Sequence, residues 1–141
     1  MHITRNITQD LVWVGVNDRR TTLFENVYPI SGVTYTSYLL LDEKTVLLDT
    51  MDSSCCPRFL ENVTGALNGR GLDYIVVNHM EPDHSAALDD IISRYPGAKV
   101  VCNAKTEQMI RQFFGTQMNY ETHIVKEGDS ITTGRHELVF V

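Results

Sequence analysis

Four good metal ligands, His79, Glu81, Asp83 and His84, stand within the six residues His79-Met80-Glu81-Pro82-Asp83-His84. Alternate residues of an extended segment point to the same side. His79, Glu81 and Asp83 can therefore face one cavity. Asp83 is also placed to cap a following helix, with His84 emerging at that helix's first turn. Pro82 stiffens the middle of the segment and lowers the entropy lost in holding the donors. The loop contains no cysteine, which argues against a closed thiolate zinc site. Mixed imidazole and carboxylate donors suit iron, manganese or zinc. Four donors this close in sequence are more than one ion readily uses, which points to a dinuclear centre. A polar turn with a capping aspartate is the plainer interpretation, and it leaves two histidines and two carboxylates without a purpose.

Alternating strands and helices must carry this loop. Residues 11–16 read as one strand with a polar turn at Asn17-Asp18. Residues 34–41 read as a second, and residues 45–48, after the turn Asp42-Glu43-Lys44, as a third forming a hairpin with it. Phe59, Leu60, Val63, Ala66 and Leu67 share a helical face, with Pro57 suited to the first turn and Asn68-Gly69-Arg70-Gly71 to the end. Tyr74-Ile75-Val76-Val77 has the apolar character of a buried strand and leads directly into the ligand loop. A second helix places Leu88, Ile91, Ile92 and Tyr95 together and stops at Pro96-Gly97. A short strand at 99–102 precedes a third helix whose Met109, Ile110, Phe113 and Phe114 form one face. Residues 123–125 and 138–141 complete the apolar runs. Strand–helix alternation of this kind predicts an α/β layered fold.

Length and charge limit the alternatives. The chain of 141 residues accommodates one compact domain. Its formal net charge of −6 gives no electrostatic reason to expect nucleic acid or an anionic membrane as a partner. No apolar stretch reaches bilayer length, and the N-terminus lacks a secretory apolar core, so the reading is cytoplasmic. Three cysteines agree with that. Cys55 and Cys56 are adjacent, an awkward geometry for a structural disulfide, and Cys102 sits in an apolar run. A redox role for the adjacent pair is the alternative to plain reduced thiols. His2, His123 and His136 read as ordinary terminal, edge or surface residues.

The run His79-x-Glu81-x-Asp83-His84 resembles the metal motif of the metallo-β-lactamase superfamily, with glutamate where its hydrolases usually carry histidine. That glutamate is the mark of the flavodiiron proteins. Thr34-Tyr35-Thr36-Ser37-Tyr38-Leu39-Leu40, Val46-Leu47-Leu48-Asp49-Thr50, Gly128-Asp129 and the stretch from Gly134 to Val141 are similar to the same family. The resemblance implies an αβ/βα sandwich of which these residues form roughly the first half. It implies that His79 and Glu81 bind one iron, and that Asp83 and His84 bind or approach a second. Glu81 adds negative charge and a hard oxygen donor, which favours iron over zinc. Asp49 resembles an aspartate that orients a ligand histidine, although a strand-terminal turn residue is an equal reading. The resemblance further implies reduction of dioxygen to water or of nitric oxide to nitrous oxide, with electrons from FMN in a flavodoxin-like domain absent from this chain. The family's remaining ligands, a third histidine, a bridging aspartate and a further histidine, are expected beyond Val141. Half a sandwich is expected to leave an apolar sheet face that self-association covers, giving a homo-oligomer. A non-catalytic metal-binding or assembly module and, less favoured by Glu81, a zinc hydrolase remain as alternatives.

Overall fold

The computed structural model describes residues 3–20, 23–24 and 27–141, and the side chain of residue 24 is left aside. His2 lies outside the described residues. The strands and helices run β1 (Arg5–Asn6), β2 (Leu11–Trp13), β3 (Val16–Asp18), β4 (Leu23–Phe24), β5 (Tyr28–Pro29), β6 (Val33–Tyr35), β7 (Tyr38–Leu41) and β8 (Thr45–Leu48). After a 3-10 turn at Ser53–Cys55 come α1 (Cys56–Leu67), β9 (Tyr74–Val76), α2 (Pro82–Ser85), α3 (Leu88–Arg94), β10 (Lys99–Cys102), α4 (Ala104–Phe114), β11 (Glu121–Ile124), β12 (Ser130–Thr132) and β13 (Glu137–Val139).

One mixed seven-stranded sheet organises the molecule, in the order β1-β2-β7-β8-β9-β10-β11. Its N-terminal side is antiparallel, and β8, β9, β10 and β11 run parallel. The pleat sends alternate residues to opposite faces. Leu39, Leu47, Ile75 and Val100 stand side by side across four strands. They pack with Phe59, Val63 and Leu67 of α1, Leu88, Ile91 and Ile92 of α3, and Ile110 of α4. The intervening residues Leu40, Val46, Val76 and Val101 face the other way, against Val125, Ile131, Leu138 and Phe140. Burial on both faces explains why Tyr74-Ile75-Val76-Val77 is continuously apolar.

That second face corrects one expectation. Leu40, Val46, Val76 and Val101 are buried, because the β12–β13 hairpin folds back over them. The hairpin is held by Asp42, which accepts hydrogen bonds from Thr133 Oγ1 at 2.8 Å, the Arg135 N–H at 2.8 Å and the His136 N–H at 3.0 Å. Burial pushes the Asp42 carboxyl up, but the bonds from Thr133, the main chain and Arg135 outweigh it and hold the group far below its ordinary range. Asp10 assists, 2.7 Å from His136 Nε2 and 3.1 Å from Arg135 Nη2.

Four local expectations also change. The run 11–16 is two strands, because the chain crosses between sheets at Gly15: β2 pairs with β7, and β3 with β6. A Cβ on Gly15 would lie 2.2 Å from the Tyr35 carbonyl oxygen, so the crossing requires glycine. The partner run 34–41 divides correspondingly, and Asn17-Asp18 belongs to β3 instead of a turn. On α4, Thr106 and Ile110 turn inward with Phe114 partly covered, while Met109 and Phe113 are exposed. A helix at this position buries only the row spaced by four residues, and the adjacent row faces out. Among the described residues no helix is long and apolar enough to cross a membrane.

Candidate metal centre

The ligand loop leaves the end of β9 beside the end of its parallel neighbour β8. Val77 N–H bonds to the Val101 carbonyl at 2.9 Å, continuing the sheet by one residue before the chain departs. Strand alternation ends in the loop: Ile75 and Val77 face the helix-side core, but Met80, not His79, returns to it, while His79 and Glu81 on either side of Met80 are exposed. Met80 is thus the apolar anchor that turns those two donors outward together. Pro82 then begins α2, a single helical turn, where its missing N–H costs nothing.

Asp83 departs from expectation here. It lies inside α2, and Glu81 occupies the position before the helix with no side-chain capping bond. The longer helix α3 begins only at Leu88. Loop compaction by α2 brings the four donors together as two pairs. His79 Nε2 is 3.4 Å from Glu81 Oε2, and His84 Nε2 is 3.7 Å from Asp83 Oδ2. The two imidazole rings meet edge to face with centroids 5.1 Å apart. Among the described residues, no group of three or more His, Cys, Asp or Glu side chains is arranged to hold a metal ion. Each pair could supply two donors to an ion whose remaining positions are filled from elsewhere.

Asp49 lies beside both pairs, just past the end of β8. Its backbone is left-handed, φ 58°, which aims the side chain back at the loop. Oδ1 accepts the Asn78 N–H at 2.7 Å and lies 3.4 Å from the His79 nitrogen. Oδ2 is 3.6 Å from His84 Nδ1, a buried atom with no hydrogen-bond partner. That separation is too long for a hydrogen bond, yet small enough for a slight ring movement to make one. Burial raises the Asp49 carboxyl, opposed by the bond from Asn78 and by His84. The orphaned Nδ1 and the imidazole–carboxylate donor set, with Nε2 beside Asp83, fit a metal-ligand histidine backed by a carboxylate.

Two hydroxyls went unnoticed in the sequence. Ser85 Oγ lies 2.9 Å from the Met80 carbonyl and 3.0 Å from that of Glu81. Thr50 donates to the His84 carbonyl through both its N–H, at 2.8 Å, and its Oγ1, at 3.0 Å. Their adjacency to Asp49 and His84 was the signal available. His123 is exposed on β11, and His136 is exposed and occupied with Asp10, so neither joins the loop. Cys55, Cys56 and Cys102 are free and buried, and burial pushes the Cys56 and Cys102 thiols up to about 12.

Comparison with known proteins agrees with this architecture. A family profile described as ODP family beta lactamase matches residues 33–141. The anaerobic nitric oxide reductase flavorubredoxin of Vibrio vulnificus is 34% identical over 143 residues, a match covering 99% of this chain and 28% of that protein. Among solved structures, rubredoxin oxygen:oxidoreductase from Desulfovibrio gigas superposes with a TM-score of 0.88 at 26% identity, covering 97% of this chain and 34% of that one. The flavodiiron protein from Giardia intestinalis superposes at 0.90 with 23% identity, covering 99% and 34%, a likeness of fold. The chain spans about 28% of the length of the curated relatives it matches. It therefore belongs to the ODP family of β-lactamase-like proteins, as a relative of the flavodiiron proteins and flavorubredoxins that corresponds to part of their metallo-β-lactamase-like domain.

Proposed function

We propose that the chain provides part of a non-haem diiron centre in an oxidoreductase that reduces dioxygen to water or nitric oxide to nitrous oxide. His79 and Glu81 would hold one iron, and Asp83 and His84 would hold or approach the other. The observation that carries this reading is the arrangement of the four donors as two imidazole–carboxylate pairs on one loop. A bound iron pair would supply open coordination positions for a diatomic substrate and pass on to it electrons delivered from outside these residues.

The protein's own residues prepare that site. Met80 fixes the loop in the core, and Asp49 holds the Asn78 amide at its start. His84 has Nδ1 facing Asp49 and Nε2 beside Asp83, the orientation in which Nε2 would meet a metal. Glu81, in place of an imidazole, brings a hard anionic oxygen that favours iron over zinc. FMN, as the electron source, would act from outside these 141 residues, in a flavodoxin-like domain. Exposed Leu23, Val27 and Tyr28, on and beside the β4–β5 hairpin, together with Ile124 and Val139, support a homo-oligomer. Three free thiols accord with a cytoplasmic setting.

A second reading has its own observation. The absence, among the described residues, of any group of three donors favours a metal-binding or assembly module that becomes competent only when other donors complete it. Anaerobic loading with ferrous iron, followed by dioxygen or nitric oxide consumption with excess reductant, separates the two. Consumption that disappears in His79→Ala and Glu81→Ala supports the reductase. Bound iron that consumes neither gas assigns the module.

A further inference from the structure

We propose that Thr50 and Ser85 are positioning residues, a pair of buried hydroxyls that fixes the register of the two donor pairs. Each is 1% exposed, and neither is among the donors themselves. Ser85 works from within the loop. Its single hydroxyl proton is shared between the carbonyls of Met80 and Glu81, the residues that follow His79 and carry the Glu81 side chain. Thr50 works from the end of β8, with its N–H and hydroxyl both directed at the His84 carbonyl. One hydroxyl therefore ties down the first pair and the other ties down the second.

The loop needs these ties because its helical turn is short and uncapped. α2 is four residues long, begins with a proline and has no side-chain cap. At its ends the His84 N–H bonds to the Glu81 carbonyl and the Ala86 N–H to that of Pro82. A helical turn of that length does not persist on internal bonds alone. Met80 is buried, so removing the Ser85 hydroxyl takes the donor from its carbonyl without admitting bulk water. The strand end behind Thr50 is itself held: the Asp49 N–H bonds to the Val76 carbonyl at 2.9 Å, and the Asp49 carbonyl accepts from Ser37 Oγ at 2.9 Å.

The positioning role rests on the metal-centre reading, whereas the hydroxyl ties can be examined without metal. Backbone amide exchange in the metal-free 141-residue chain examines the ties, and titration with cobalt(II), followed by its visible absorption, examines the role. Ser85→Ala and Thr50→Val should accelerate exchange at His84, Ala86 and Ala87 by roughly tenfold or more, with Ile75 and Val100 in the sheet unchanged. Thr50→Ser, which keeps the hydroxyl, should restore the slow pattern. Cobalt affinity should fall about 10- to 100-fold in Ser85→Ala and Thr50→Val and recover in Thr50→Ser. Unchanged exchange at the three amides overturns the ties. Acceleration throughout the sheet, or cobalt affinity equal to the unaltered chain, overturns positioning in favour of a general structural role. Failure of the unaltered chain to bind cobalt overturns the metal reading and the positioning role with it, and the exchange pattern then separately reports whether the hydroxyls hold the loop.

Discussion

Replacing Asp49 separates three contributions to the ligand loop. Asp49→Ala removes the acceptor for the Asn78 N–H, a 2.7 Å bond to a carboxylate, and such bonds contribute about 1.5–3 kcal/mol. The His79 contact, at 3.4 Å, sits at the limit of hydrogen bonding and adds little. Alanine also occupies a left-handed position, φ 58°, that aspartate and asparagine tolerate better, a further cost of up to about 1 kcal/mol. Relief from burying a carboxylate runs the other way. The balance is a loss of about 1–3 kcal/mol by these magnitudes. Asp49→Asn keeps the Oδ1 acceptor and the backbone preference while removing the buried charge, so its stability should lie within about 1 kcal/mol of the unaltered protein. Asp49→Gly restores the backbone alone and should fall between them. Urea unfolding at neutral pH, read by linear extrapolation, measures all three. The reasoning is refuted if Asp49→Asn is as damaging as Asp49→Ala, or if alanine has no measurable effect.

Stability should also fall in acid through the hairpin anchor. Asp42 has a folded-state value below its ordinary 3.8, as does Asp10, where the bond from His136 leads. A depressed carboxylate contributes stability above its unfolded value and loses it as pH falls toward the folded one. The urea midpoint should therefore drop between about pH 5 and pH 3, and Asp42→Asn should flatten part of that slope. Asp49, raised by burial, contributes the opposite sign, its stabilisation growing as pH falls, so the Asp49→Asn background should show the steeper acid loss. Glu81→His should shift metal preference toward zinc in a competition of iron and zinc read by elemental analysis. Unchanged selectivity would defeat the hardness argument. Sedimentation at increasing concentration should reveal self-association, and a monodisperse monomer throughout would remove the homo-oligomer from the proposal.

The site was legible because its chemistry is local. Four donors within six residues, after an apolar strand, announce themselves without tertiary information. Their two-pair arrangement was not legible, because it depends on α2 forming at Pro82–Ser85 and drawing Asp83 into the turn. Burial of both faces of the parallel strands was visible in Tyr74-Ile75-Val76-Val77. The split of 11–16 was not, because an apolar run shows no boundary where the chain changes sheets, and only the approach of Tyr35 to Gly15 creates one. The hairpin over the second sheet face was missed for a related reason. Asp42 and Asp10 lie 93 and 125 residues from Arg135, and no short-range pattern links them. Met109 and Phe113 satisfied helical periodicity equally well inward or outward, and only the placement of α4 decided between them.

The central claim is that His79, Glu81, Asp83 and His84 bind metal as two pairs. Anaerobic titration of the chain with ferrous iron, with metal counted per protomer beside the assembly mass, tests it most directly. Iron should bind in proportion to intact pairs: binding reduced when His79 and Glu81 are replaced by alanine, reduced separately when Asp83 and His84 are, and abolished when all four are. Iron binding that is unchanged by removing all four donors, or no iron bound by the unaltered chain in any assembly, would contradict it.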